Sequence, residues 1–182
     1  VGDVDALLIA QNLFTGVQVT LHPNPYLIDF QVEMETIQSS SIYSKPGSVL
    51  YICEPIREHA LLEHGNELYW GYTEEDALQF FLQNIDALGS IVVEINIRPH
   101  PSERTSKYDW VRLANSLVSE INSTKSLVQQ LVEADVVLGC ESMAMVVALM
   151  AKKRVISAIP PGGKVCSLPQ AGIEHLQILI TK

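Results

Sequence analysis

Two stretches of this chain, "DVVLGC" (135–140) and "RVISAIP" (154–160), are apolar along most of their length, with no polar alternation. A strand with one wet face alternates apolar and polar residues; a strand covered on both faces does not. Segments of helical character separate such runs. "SVLYICEP" (48–55) leads to "TEEDALQFFLQNIDALG" (73–89), and "SIVVEINIRP" (90–99) leads to "KYDWVRLANSL" (107–117). "VSEIN" (118–122) leads to "TKSLVQQLVEA" (124–134), and "DVVLGC" leads to "SMAMVVALMAKK" (142–153) before "RVISAIP". Strands alternating with helices pair in parallel through right-handed crossovers. The expected fold is therefore α/β, a doubly wound parallel sheet of Rossmann-like type, with strand order 3-2-1-4-5. A last apolar segment, "EHLQILIT" (174–181), reads as one more strand.

Local signals set the boundaries. Thr73 is an N-cap with Asp76 three residues on; Gly89 is the stop, and Leu78, Phe81, Leu82, Ile85 and Leu88 form the apolar stripe. Met143, Val146, Val147 and Met150 fall on core spacing in the helix after Ser142. Before residue 48 lie two short apolar runs, "VDALLIA" and "GVQVTL", and then "NPYLIDFQVEMETI", where Asn24 caps a helix with Pro25 at its first position. The Ser/Pro/Gly-rich "SSSIYSKPGS" (39–48) reads as a linker. The division expected is a 1–45 tail of a preceding α/β domain plus linker, and a 46–182 Rossmann-like domain.

The charge balance, 21 acidic against 12 basic residues, gives a formal net charge of −9 and argues against nucleic acid as a partner. A small anionic ligand needs only a local positive field. No apolar run reaches the length of a membrane span, and three scattered cysteines without a CxxC pair fit a reduced, cytoplasmic setting. No metal site or cofactor is expected.

In a doubly wound sheet, ligands sit outside the carboxyl ends of the strands where the order reverses. The exits that meet there are "CEP" with Glu54, "RPHPSE" with Arg98, His100 and Glu103, and "GCES" with Glu141 and Ser142. Ser142 can cap its helix, whose free N–H groups and positive dipole end attract phosphate; a cap with no ligand role is the alternative. Arg98 adds a fixed cation, and His100 an imidazole that donates to phosphate or, alternatively, sits exposed in a loop. Glu54 and Glu141 would repel a phosphate, so they suit a ribose hydroxyl, an acceptor hydroxyl needing a general base or a divalent ion, or else a plain solvated role. "PPGGK" (160–164) lacks the P-loop pattern and reads as a loop that lets Lys164 lean over a ligand. "HALLEH" (59–64) has one residue too many for helical H-x-x-E-H, and there is neither G-x-G-x-x-G nor G-x-S-x-G.

"IVVEINIRPHPSE" (91–103) followed by "LVQQLVEADVVLGCESMAMVVALMAKKRVISAIP" (127–160) resembles the carboxy-terminal, donor-nucleotide half of GT-B-type glycosyltransferases. The likeness is to the polysaccharide and CDP-glycerol transferase group and to sialyltransferase-like enzymes with an HP motif; UDP-N-acetylglucosamine 2-epimerases share the architecture. It covers residues 49–160, and "VQVTLHPNPYLIDF" (17–30) looks like the handover from a preceding half. The resemblance implies a nucleotide-phosphate contact at His100 and Pro101 and a second at Ser142, where the family often has Asn-Ser or Ser-Ser and this chain has Glu141-Ser142. It also implies an acceptor glycan or lipid bound by an amino-terminal half, without which the chain is incomplete as a catalyst. The expected function is binding the diphosphate of a nucleotide-activated sugar for glycosyl or glycerophosphate transfer in polysaccharide biosynthesis. A sugar-nucleotide epimerase or hydrolase, or a non-catalytic Rossmann-like module, are the alternatives. The expected site is Arg98, His100, Pro101, Ser142 and Lys164 on the nucleotide, with Glu54 and Glu141 as catalytic carboxylates.

Overall fold

The structure, a computed structural model, describes residues 2–22, 24–39, 44–122 and 124–181, with backbone only at 38, 39 and 105. In chain order it runs α1 (Val4–Leu13), α2 (Pro25–Ser39), β1 (Ser48–Ile52), α3 (Ile56–His64), α4 (Glu74–Gln83), β2 (Glu94–Arg98), α5 (Val111–Ala114), β3 (Val118–Ile121), α6 (Leu127–Glu133), β4 (Val136–Gly139), α7 (Met143–Met150), β5 (Arg154–Ser157), β6 (Ile173–His175) and α8 (Leu176–Leu179). One sheet holds all six strands in the order β3-β2-β1-β4-β5-β6, each neighbour pair parallel. The expected doubly wound Rossmann-like architecture is what the chain adopts, extended by one strand.

Period-2 geometry sorts the core into two layers. Val49, Tyr51, Ile95, Ile97, Val136 and Leu138 face Leu78 and Phe81 of α4, Val111 of α5 and Leu176 of α8. Leu50, Ile52, Val137 and Val155 face Leu131 of α6 and Met145 and Val147 of α7, with Leu27 of α2 joining that side. The central strands β1 and β4 are buried at every residue, which is why their sequences carry no alternation. Helix α2 also buries Met34 against Val128 and Val132 of α6, so it is packed onto this layer. Asn24 starts it as expected, its Oδ1 accepting from the Tyr26 N–H at 3.0 Å. Of the linker expected over 39–48, residues 40–43 lie outside the described residues.

Several boundaries differ from the sequence expectation. The stretch 90–93 is not strand; Ile91 is 84% exposed and only Glu94–Arg98 pairs in the sheet. The helix expected over 73–89 starts at the Thr73–Asp76 capping box but breaks at Asn84, whose Nδ2 bonds the Phe80 carbonyl at 2.7 Å. A 3₁₀ turn (Ile85–Leu88) then carries the chain to Gly89, which takes the left-handed φ of 67° expected of a helix stop. "KYDWVRLANSL" yields a 3₁₀ turn (Thr105–Tyr108) and only the single helical turn α5. Of "EHLQILIT" only Glu174 and His175 belong to the expected last strand, β6. Pairing ends at His175, and helix α8 follows because Leu176 turns under the sheet. In α7 the buried methionine is Met145, while Met143 is 56% exposed. A Cβ added at Gly139 would meet the Met145 sulfur at 3.1 Å, so the glycine lets α7 lie close against β4. Among the described residues, no helix is long and apolar enough to cross a membrane.

Candidate functional site

The strand order reverses at β1, flanked by β2 and β4, and the three exits converge at the carboxyl edge. They close a cavity of about 240 Å³ on the α2/α6/α7 side of the sheet. Its walls are Ile52 and Cys53 from β1, Arg98, Pro99, His100 and Pro101 from β2, Ser142 and Ala144 from α7, Leu127 from α6, and Tyr26 and Phe30 from α2. A larger hollow, of about 430 Å³, lies between Gly89 and Leu117 at the opposite edge of the strands, where this fold class does not place ligands.

The turn after β2 is held by its own residues. Glu103 reaches back to accept from the His100 N–H at 3.1 Å and from the Tyr108 hydroxyl at 2.9 Å, and it pairs with Lys107 at 2.7 Å. Glu103 is thus a strut of the turn and points away from the cavity. The imidazole is oriented by Ser102: its N–H points at His100 Nδ1 from 3.3 Å, and its hydroxyl lies 2.7 Å from the same nitrogen. An Nδ1 that accepts a backbone N–H cannot itself carry the proton of the neutral ring, so Nε2 does, as a donor. Arg98 lines the cavity but gives both N–H groups of Nη1 away, to the Lys125 carbonyl at 2.9 Å and Gln130 Oε1 at 2.5 Å. Nε and Nη2 remain for a ligand, and burial lowers the guanidinium's pKa from its ordinary value.

Ser142 is the N-cap of α7, its Oγ accepting from the Ala144 N–H at 3.2 Å while its own proton can be donated outward. The turn in front of it is already filled. Glu54 Oε1 accepts from the N–H groups of Cys140 at 2.8 Å and Glu141 at 2.9 Å, so a carboxylate of the chain itself sits on the donors a phosphate would seek. Burial pushes the Glu54 carboxyl up, against these hydrogen bonds, which pull it down. Glu141 faces another way: Oε2 accepts from the Ser167 N–H at 3.2 Å and its hydroxyl at 3.1 Å, and Lys164 forms a close ion pair with it. The Lys164 ammonium also lies 4.2 Å from the Trp70 ring centroid.

The structure therefore brings Arg98, His100, Pro101 and Ser142 together around one cavity, whereas Glu54, Glu141 and Lys164 lie beside it in bonds of their own. The buried thiols of Cys53 and Cys140, whose pKa values burial raises well above the ordinary, are not nucleophiles at neutral pH. Glu58, Glu74 and Glu103 are close enough to hold a cation, but Lys107 already contacts all three, at 3.2, 2.5 and 2.7 Å. Composition and spacing did not single out Tyr26, Phe30 and Leu127 as part of the site. The available signal was the aromatic pair at i and i+4 ahead of the sheet, on one helix face.

No protein-family model matches the sequence, and no curated protein does. A solved structure, Thermosulfurimonas dismutans KpsC, a beta Kdo 2,4 transferase, aligns with a TM-score of 0.42 and 19% identity, covering 82% of this chain. The chain spans about half of that protein's length, 49% of it being covered.

Proposed function

We propose that the chain is the donor-binding half of a nucleotide-sugar-dependent transferase, holding the phosphate of an activated sugar between the β2 exit and the start of α7. The observation that carries this reading is the meeting of His100 and Ser142, from separate strand exits, on one cavity at the switch point. Transfer would leave negative charge on the departing phosphate. His100 Nε2–H, the spare guanidinium donors of Arg98, the Ser142 hydroxyl and the positive end of α7 are preplaced to take it. Glu54 occupies the turn's N–H groups, so the phosphate relies most on His100 and Arg98. Neither Glu54 nor Glu141 lines the cavity. In this reading they shape the turn, and the base that activates the acceptor, a glycan or lipid, comes from a preceding half of the fold to which residues 1–45 lead.

Titration of UDP, CDP and CMP by NMR or calorimetry tests this. Binding at about millimolar strength, roughly 4 kcal/mol, with shifts at His100 and Ser142 is expected, and His100→Ala should cost roughly 1.5–3 kcal/mol of it. One observation favours a second reading, a non-catalytic Rossmann-like binding module: both carboxylates nearest the cavity are spent on internal bonds. Nucleotides that leave His100 and Ser142 unperturbed at high concentration would rule out the transferase reading.

A further inference from the structure

The cavity is lined by two chemically different groups of residues. One is His100 with Ser142; the other is an apolar wall made by Tyr26 and Phe30 of α2 with Leu127 of α6. Helix α2 is firmly placed, since Leu27 and Met34 are buried against the layer of α6 and α7. Phe30 packs on that layer and braces Tyr26 edge-on, with ring centroids 4.7 Å apart at 82°. Tyr26 itself is 66% exposed, so a large aromatic surface is held at a fixed angle on the cavity and left uncovered. An occupant that satisfies both groups is flat and apolar in one part and anionic in another.

We infer that Tyr26 is the platform on which the nucleobase of the ligand stacks, which makes α2 part of the donor site and a source of its selectivity. This rests on the nucleotide reading above and adds the position of the base. Stacking a base on an aromatic side chain is sequence-tolerant and strong enough to dominate the non-phosphate part of the affinity. Tyr26 also reaches the cavity without contributing to the core, so its substitution leaves folding intact.

The test compares ribose 5-phosphate with cytidine, uridine and adenosine 5′-monophosphates, followed through the His100 imidazole signals of the full chain. The nucleotides should bind roughly 5- to 100-fold more tightly than ribose 5-phosphate. Tyr26→Ala should abolish that advantage while leaving ribose 5-phosphate unchanged, and Tyr26→Phe should keep it. An advantage that survives in Tyr26→Ala overturns the inference, as does an equal loss for both ligands, which would place the sugar ring against α2. Should no phosphate ligand reach His100 at all, the nucleotide reading fails first, and the base platform with it.

Discussion

Removing the Glu54 side chain separates the structural part of this carboxylate from any catalytic one. In Glu54→Ala the N–H groups of Cys140 and Glu141 lose their acceptor. Cys140 is buried, so its donor is stranded, whereas Glu141 is partly open and water can reach it. A stranded donor costs roughly 1–3 kcal/mol and a rehydrated one about 0.5–1.5 kcal/mol, so a loss of about 1.5–4.5 kcal/mol is expected. That is a sizeable share of the roughly 5–15 kcal/mol that holds a domain of this kind together. Glu54→Gln retains an acceptor oxygen and should lose less. Its pH behaviour is the sharper readout. Burial raises the Glu54 carboxyl above its ordinary value, so its contribution is full below the unfolded value and declines as pH rises through the folded one. The stability of the wild type relative to Glu54→Gln should accordingly fall as pH rises above about 4.3. Urea unfolding of the three proteins across that range measures it. A Glu54→Ala variant within about 0.5 kcal/mol of wild type would show that this carboxylate does not hold the turn, and a difference that grows with pH would show that its hydrogen bonds outweigh burial.

Lys107→Met should cost roughly 3–5 kcal/mol, because it leaves the buried Glu103 carboxylate without its cation and Glu74 with Arg57 alone. Burial pushes Glu74 up, but Lys107 and the Arg57 N–H outweigh it and hold the carboxyl below its ordinary value; the wild-type advantage should thus be full above about pH 4.3 and shrink as pH falls through that lower value. Chemical denaturation at several pH values checks both statements, and a constant difference would refute the second. The neutral His100 ring should carry its proton on Nε2, which ¹⁵N spectra of the imidazole report directly; an Nδ1–H signal would mean that the ring donates to the Ser102 hydroxyl instead of accepting the Ser102 N–H.

Much of the fold is legible in local chemistry. The continuous apolar runs of β1 and β4 imply strands covered on both faces, and the alternation of strand with helix fixes parallel pairing; with that, the meeting of three exits at the β1/β4 crevice follows. The caps at Asn24, Thr73 and Ser142 and the stop at Gly89 were readable for the same reason: each satisfies or frees backbone groups within a few residues of itself. Which residues would share a cavity was legible for His100 and Ser142, because both lie next to strand ends whose order is set by topology.

What a polar side chain bonds to was not legible, because its partner lies far along the chain. Glu54 reaches residues 140 and 141, Glu141 reaches 164 and 167, and Arg98 reaches 125 and 130. Side-chain period says which way a residue leaves a strand but not what fills the space it enters. Similarly, spacing in α7 nominated Met143, Val146, Val147 and Met150, while close approach to β4 at Gly139 rotated Met145 into the core. Tyr26 and Phe30 joined the site only because Leu27 and Met34 seat α2 on the sheet's flank, a packing between segments separated by the whole first half of the domain. The sequence by itself therefore determined the elements, their order and the edge where they meet, since those follow from short-range periodicity and capping. Only the tertiary structure decided which charges are spent internally and which surfaces remain open to a ligand, because long-range packing assigns each buried donor and acceptor its partner.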